Sequence, residues 1–158
     1  DEVDITVGTL GKALASMGAY VLANNTSIID YLTNQAGEYI YSTFLPPSQV
    51  GAALESIKLI KTFDEQRKKI RSLSKYFRKG LNHKSGKIES PIIPITIGDP
   101  QETLKLRDQL LNNGILVGAV RPPTVPADSS RLRISLNSKT SESLVDELIK
   151  ILEPWKKN

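Results

Sequence analysis

Val3-Asp4-Ile5-Thr6-Val7-Gly8-Thr9-Leu10-Gly11-Lys12-Ala13 runs from a strand pattern into a lysine loop framed by glycines. Val3, Ile5 and Val7 alternate with polar residues, the period of a strand with one buried face. Gly8 and Gly11 then break the pattern. An amine that is to bond covalently with a carbonyl must be reachable and kept partly neutral by desolvation or a neighbouring cation. Lys12, just past a strand end, has that placement. Its small neighbours let a bulky cofactor approach the backbone, and the Thr9 hydroxyl can bond a phosphate oxygen. Spacing alone also fits an ordinary surface-loop lysine. A nucleotide P-loop is excluded, because the glycines stand too close together and no Ser or Thr follows the lysine.

Downstream, Ala19-Tyr20-Val21-Leu22 is a second short apolar run, and Asn24-Asn25-Thr26-Ser27 offers turn and N-cap chemistry for a helix from about Ile28 to Gln35. That helix is expected to stop near Gly37. Ile40-Tyr41-Ser42-Thr43-Phe44-Leu45-Pro46-Pro47 places two hydroxyls, Ser42 and Thr43, directly before a helix entry, with Ser48 as the expected N-cap. Free amides and the helix dipole favour an anion there, although capping and turn formation account for the same residues. Val50, Leu54, Ile57, Ile60, Phe63, Ile70, Leu73, Phe77 and Leu81 recur at steps of three or four, with one gap near Arg67. The pattern predicts one long helix, ended by Gly80 and Asn82, within a connecting segment 48–86.

The remainder reads as a compact α/β lobe, 87–158. Pro91-Ile92-Ile93-Pro94-Ile95-Thr96-Ile97 predicts a strand whose prolines suit a sheet edge. Gly98-Asp99-Pro100 leads into a helix closed by Asn112-Asn113-Gly114. Residues 115–120 and 131–136 predict two more strands, and Ser141-Glu142-Ser143 opens a last helix. The order β-α-β-β-α predicts a three-stranded sheet covered by two helices. Between the last two strands, Arg121-Pro122-Pro123-Thr124-Val125-Pro126 forms a proline-stiffened loop that pre-positions Arg121 and Thr124. Arg131 and Arg133 share one strand face by the period-two rule. A planar guanidinium there suits a bidentate grip on a carboxylate, and two exposed strand arginines are the plain alternative.

At 158 residues, 39% hydrophobic and 24% charged, the chain is an ordinary globular domain or a piece of a larger one. It has no cysteine and a single histidine, His83, which excludes thiolate chemistry and histidine-rich metal sites and argues against a Ser-His-Asp triad. No metal is expected. No apolar run is long enough to span a bilayer, and the acidic start predicts no signal peptide. The net charge of +4 is uneven: from Lys58 to Lys87 there are eleven Lys or Arg against Asp64 and Glu65. Without an aromatic platform or groove-reading motif this stretch reads as a solvated helix face rather than a nucleic-acid site, with a polyanion or an acidic carrier protein as its other reading.

Taken together and in this order, the lysine loop, the Ser42-Thr43 cluster and the proline loop with Arg131-Leu132-Arg133 resemble the C-terminal part of the α-oxoamine synthases, over essentially the whole chain. These are pyridoxal-phosphate enzymes of the aspartate aminotransferase fold type. The resemblance implies an α/β fold: 1–47 the end of the cofactor-binding large domain, 48–86 a connecting helix, and 87–158 the small C-terminal domain. It implies that Lys12 bonds pyridoxal 5'-phosphate and moves protons at the substrate Cα, that Thr9 binds the phosphate, and that Thr43, with Ser42, reaches that phosphate across a homodimer interface. Arg133 matches the grip on the amino-acid carboxylate, Thr124 lies on the substrate-side loop, and Arg121 reaches toward the acyl chain. The proline loop is most similar to the branch that condenses L-alanine with a pimeloyl thioester, on CoA or acyl carrier protein, in cytoplasmic biotin synthesis. A sister activity such as glycine C-acetyltransferase, or a non-catalytic basic binding module, is the alternative. In this family the ring-stacking histidine, the aspartate on the pyridine nitrogen and the glycine-rich phosphate turn lie upstream of the lysine. The 158-residue chain by itself is therefore expected to be inactive, to bind the cofactor poorly or not at all, and to leave apolar strand surface that an N-terminal segment would cover.

Overall fold

The computed structural model describes residues 3–82 and 90–155. They fall into two compact units, 1–63 and 64–158. His83, Lys84 and Lys87, with the rest of the expected segment 83–86, lie outside the described residues.

In the first unit β1 (Ile5–Thr9) and β2 (Ala19–Ala23) pair antiparallel, from Ile5 opposite Ala23 to Thr9 opposite Ala19. Helix α1 (Thr26–Gln35) starts where the Asn25 side chain accepts from the Ser27 amide at 2.9 Å. A one-turn helix α2 (Gly37–Ile40) follows where the sequence predicts only a stop. Helix α3 (Pro47–Ile60) begins with Pro47 in its first turn, because a residue without an N–H loses nothing at a helix start. Ser48, the expected cap, is therefore already helical.

The predicted single connecting helix is two helices. α3 ends at Ile60 and α4 (Asp64–Gly80) begins four residues later. Between them the Thr62 hydroxyl donates back to the Leu59 carbonyl at 2.8 Å, the local bonding by which threonine competes with a continuing helix. Asp64 and Glu65 then place two carboxylates in the first turn of α4, the end that favours negative charge.

In the second unit β3 (Ile92–Gly98), β4 (Gly118–Val120) and β5 (Ser130–Ser135) form an antiparallel sheet of order β3-β5-β4, with the proline-bearing β3 at an edge as expected. β4 is shorter than its apolar run. Gly114, at φ +77°, turns the chain out of α5 (Pro100–Asn112), and the Ile115 amide bonds back to the Leu110 carbonyl at 2.9 Å. Ile115 and Val117 are thereby spent in the core before pairing starts. One sheet face carries Ile93, Ile95, Leu132 and Ile134, all at most 4% exposed. Leu106 and Leu110 of α5 and Val145, Leu148 and Leu152 of α6 (Glu142–Leu152) complete this core. Leu73 and Phe77 of α4 and the following Leu81 belong to it too, so three helices rather than two build the lobe, and it begins at 64 rather than 87.

Candidate active site

The lysine loop is a closed structure. The Leu10 amide donates to the Gly18 carbonyl at 2.8 Å, the Ser16 amide to the Leu10 carbonyl at 3.0 Å, and the Ala15 amide to the Lys12 carbonyl at 3.1 Å. Leu10 is buried beneath it. Two glycines stand at its edges, and the backbone of the second, Gly18, is the one that demands glycine. A Cβ on Gly8 would lie 2.3 Å from the Tyr20 ring, and Gly18, at φ +93°, would drive one to 2.7 Å from Leu45. Ser16 ties the loop to the start of α3, its hydroxyl donating to the Gln49 carbonyl at 2.6 Å. This tie gives no sequence signal, since Ser16 and Gln49 are 33 residues apart.

Lys12 and Thr9 are both exposed on this loop, and Ser42 and Thr43 are exposed between α2 and α3. Among the described residues none of their side-chain donors has a partner. An exposed amine and exposed hydroxyls are the donor types that an aldehyde and a phosphate would need. The unit also holds a largely apolar cleft of about 500 Å³. Tyr20, Val21, Ile29, Leu32 and Tyr39 line it, and none of the sequence-predicted site residues does.

Arg121, Thr124 and Arg133 belong to the second unit. The Thr124 amide donates to the Arg121 carbonyl at 3.0 Å, which closes a turn around the cis Pro122-Pro123 bond. Arg133 pairs in register with Gly118 of β4 and Pro94 of β3, and Arg131 with Val120 and Thr96. Both arginines therefore stand on the sheet face opposite the core. Among the described residues no cluster of His, Cys, Asp and Glu could hold a metal, and no helix is long and apolar enough to cross a membrane.

A family model for aminotransferases of class I and II matches residues 1–152. The chain belongs to that family. Within it, the 8-amino-7-oxononanoate synthase of Aeromonas salmonicida (strain A449) is 41% identical over 155 residues, 96% of this chain and 39% of the relative. That of Methylococcus capsulatus is 41% identical over 154 residues, covering 96% and 40%. Among solved structures, Sphingomonas wittichii serine palmitoyltransferase superposes with a TM-score of 0.86 at 27% identity, covering 97% of this chain and 39% of that one. The 8-amino-7-oxononanoate synthase of Francisella tularensis gives 0.82 at 30% identity, with 96% and 45% covered. A structure of SPT with a PLP internal aldimine gives 0.87 at 25% identity, with 97% and 39% covered. These relatives are α-oxoamine synthases, and the two units of this aminotransferase-family chain have the fold of a fold type I pyridoxal-phosphate enzyme over the part matched. The chain spans about two-fifths of the length of the curated relatives it matches.

Proposed function

We propose that the chain carries the lysine-loop and C-terminal parts of an 8-amino-7-oxononanoate synthase. This enzyme condenses L-alanine with a pimeloyl thioester, on CoA or acyl carrier protein, and releases carbon dioxide and the free thiol. The observation that carries the reading is the roughly 40% identity maintained over 96% of the chain with synthases of that name. The proline loop and the arginine-bearing strand of the second unit support it.

Pyridoxal phosphate, when bound, supplies an electron sink for charge that develops at the amino-acid Cα. The Lys12 amine would hold the cofactor at its aldehyde and would carry protons to and from that carbon. The Thr9 hydroxyl, with Ser42 and Thr43 reaching from a partner copy in a homodimer, binds the phosphate. The Arg133 fork holds the alanine carboxylate. Thr124 and Arg121, set by the stiff loop, face the acyl substrate. We place the enzyme in the cytoplasm and assign the activity to a polypeptide of the relatives' full length, the 158-residue chain being inactive alone.

Borohydride reduction of the full-length protein with pyridoxal phosphate, followed by peptide mapping, tests the reading. The label is expected on Lys12 and is lost in Lys12→Ala. A label on any other side chain refutes the assignment.

A further inference from the structure

Three of the seven arginines, Arg121, Arg131 and Arg133, lie within thirteen residues of one another in the second unit, with Asp128 as the one acid between them. Elsewhere, Arg67 pairs with Asp64, Arg107 with Asp108, and Arg78 bonds the Ile92 carbonyl at 3.3 Å. None of the clustered three has a carboxylate partner among the described residues. The topology gathers them: Arg131 and Arg133 share the open face of β5, and Arg121 follows Val120, the β4 residue opposite Arg131.

Arg131 is the unusual member. It is half-buried, and its Nε donates to the Ser129 carbonyl at 2.9 Å. Ser129 in turn donates its hydroxyl to the Pro126 carbonyl at 2.6 Å. The guanidinium is thus braced against the end of the proline loop. Its two terminal nitrogens have no acceptor among the described residues. A partly desolvated, oriented fork without a counter-charge is costly unless an anion completes it. One carboxylate on Arg133 leaves the cluster still positive.

We propose that this face is a two-carboxylate site, in which Arg131 holds a second carboxylate while Arg133 holds the first. The ligand class is a dicarboxylate, or two carboxylates presented together. The inference rests on the proposed reading, in which the acyl substrate brings a free terminal carboxylate alongside that of the amino acid. It gives Arg131 a role in acyl-substrate choice, which the family resemblance does not supply.

The test is a chemical-shift titration of the 158-residue chain with pimelate and with heptanoate, equal in carbon number, at one ionic strength. Pimelate is expected to bind at least about tenfold more tightly, the effect of one added charge-assisted, forked contact. The shifts should centre on β4 and β5. Arg131→Gln should bring the two ligands to near equality without weakening heptanoate, and Arg131→Lys should restore part of the preference. Unfolding followed by Trp155 fluorescence checks that each variant is folded. Equal affinities in the parent chain, no saturable binding, a preference that survives Arg131→Gln, or shifts elsewhere would each overturn the proposal. The borohydride experiment is independent. Labelling of Lys12 without a dicarboxylate preference sinks the arginine site alone, and a preference without labelling sinks the enzyme assignment alone.

Discussion

Removing the Phe77 ring should destabilise one part of the molecule and leave the rest as it was. Phe77 is wholly buried in the core of the second unit, beneath α6 and the sheet. Truncating a buried phenylalanine to alanine costs about 3–5 kcal/mol, the transfer term plus the cavity left behind. A unit of roughly a hundred residues has about 5–15 kcal/mol to lose. With a urea dependence of about 2 kcal/mol per molar, Phe77→Ala should lower the unfolding midpoint by about 2 M. Trp155 is the only tryptophan and packs against this same core, so its fluorescence follows the unit selectively. The matched control is Leu22→Ala in β2, where the side chain is 59% exposed. There the loss should stay within about 0.5 kcal/mol, and the Trp155 transition should not move. A Phe77→Ala shift below about 0.5 M, or a Leu22→Ala shift of similar size to that of Phe77→Ala, would refute the division of stability argued from burial.

Other substitutions probe single contacts. Ala15 sits at φ +50°, so Ala15→Gly should tighten the lysine loop by about 0.5–1 kcal/mol, seen as roughly threefold slower exchange of the Leu10 and Ser16 amides; faster exchange counts against it. Asp99 caps α5 by accepting from the Gln101 and Glu102 amides, both at 2.8 Å, and Asp99→Ala should cost the second unit about 1 kcal/mol in urea titrations. The Tyr76 hydroxyl donates to Asp146 at 2.5 Å, and this bond, with the carboxylate's charge, raises the phenol above its ordinary value. That stability is complete below the unfolded phenol's pKa of about 10 and is lost as pH rises through the raised folded value. Tyr76→Phe should therefore flatten the alkaline fall in stability of the second unit, and an unchanged pH slope would refute the link.

The second unit was largely legible from its sequence because its signals are local. Alternation in 131–136, the proline-marked edge of β3 and the Asp99-Pro100 start of α5 each act within a few residues. What was missed there depends on distance. Periodicity shows that Leu73 and Phe77 share a helix face, but it does not show which body that face covers. The gap near Arg67 was visible in the apolar repeat, yet the break came just before it, where the Thr62 hydroxyl and two acidic residues outweigh the stripe. In the first unit the alternation of Val3, Ile5 and Val7 correctly gave a strand, but its implied buried face is absent from the unit. Those three are 62%, 48% and 67% exposed, and Leu10 and Ala53 are the unit's only buried apolar side chains among the described residues. Sequence patterning records the face a strand needs to bury, whether or not the burying surface lies within the same 158 residues.

Charge shows the same difference between amount and placement. By count, the basic stretch from Lys58 to Lys87 should be the place where an anion binds. In the structure Lys58 pairs with Glu55, Arg67 with Asp64 and Lys68 with Glu65, each one helical turn away, while Lys69 donates to the Ser138 carbonyl at 2.8 Å. Such exposed pairs contribute little stability, but they lower the field that a distant anion would meet. The strand arginines have the opposite character. They are few, and no described carboxylate answers them. A ligand's anion gains most where the fold has already oriented a guanidinium and left its charge uncompensated. On that ground we propose β5, rather than the basic helix, as the place where a negatively charged ligand would gain most.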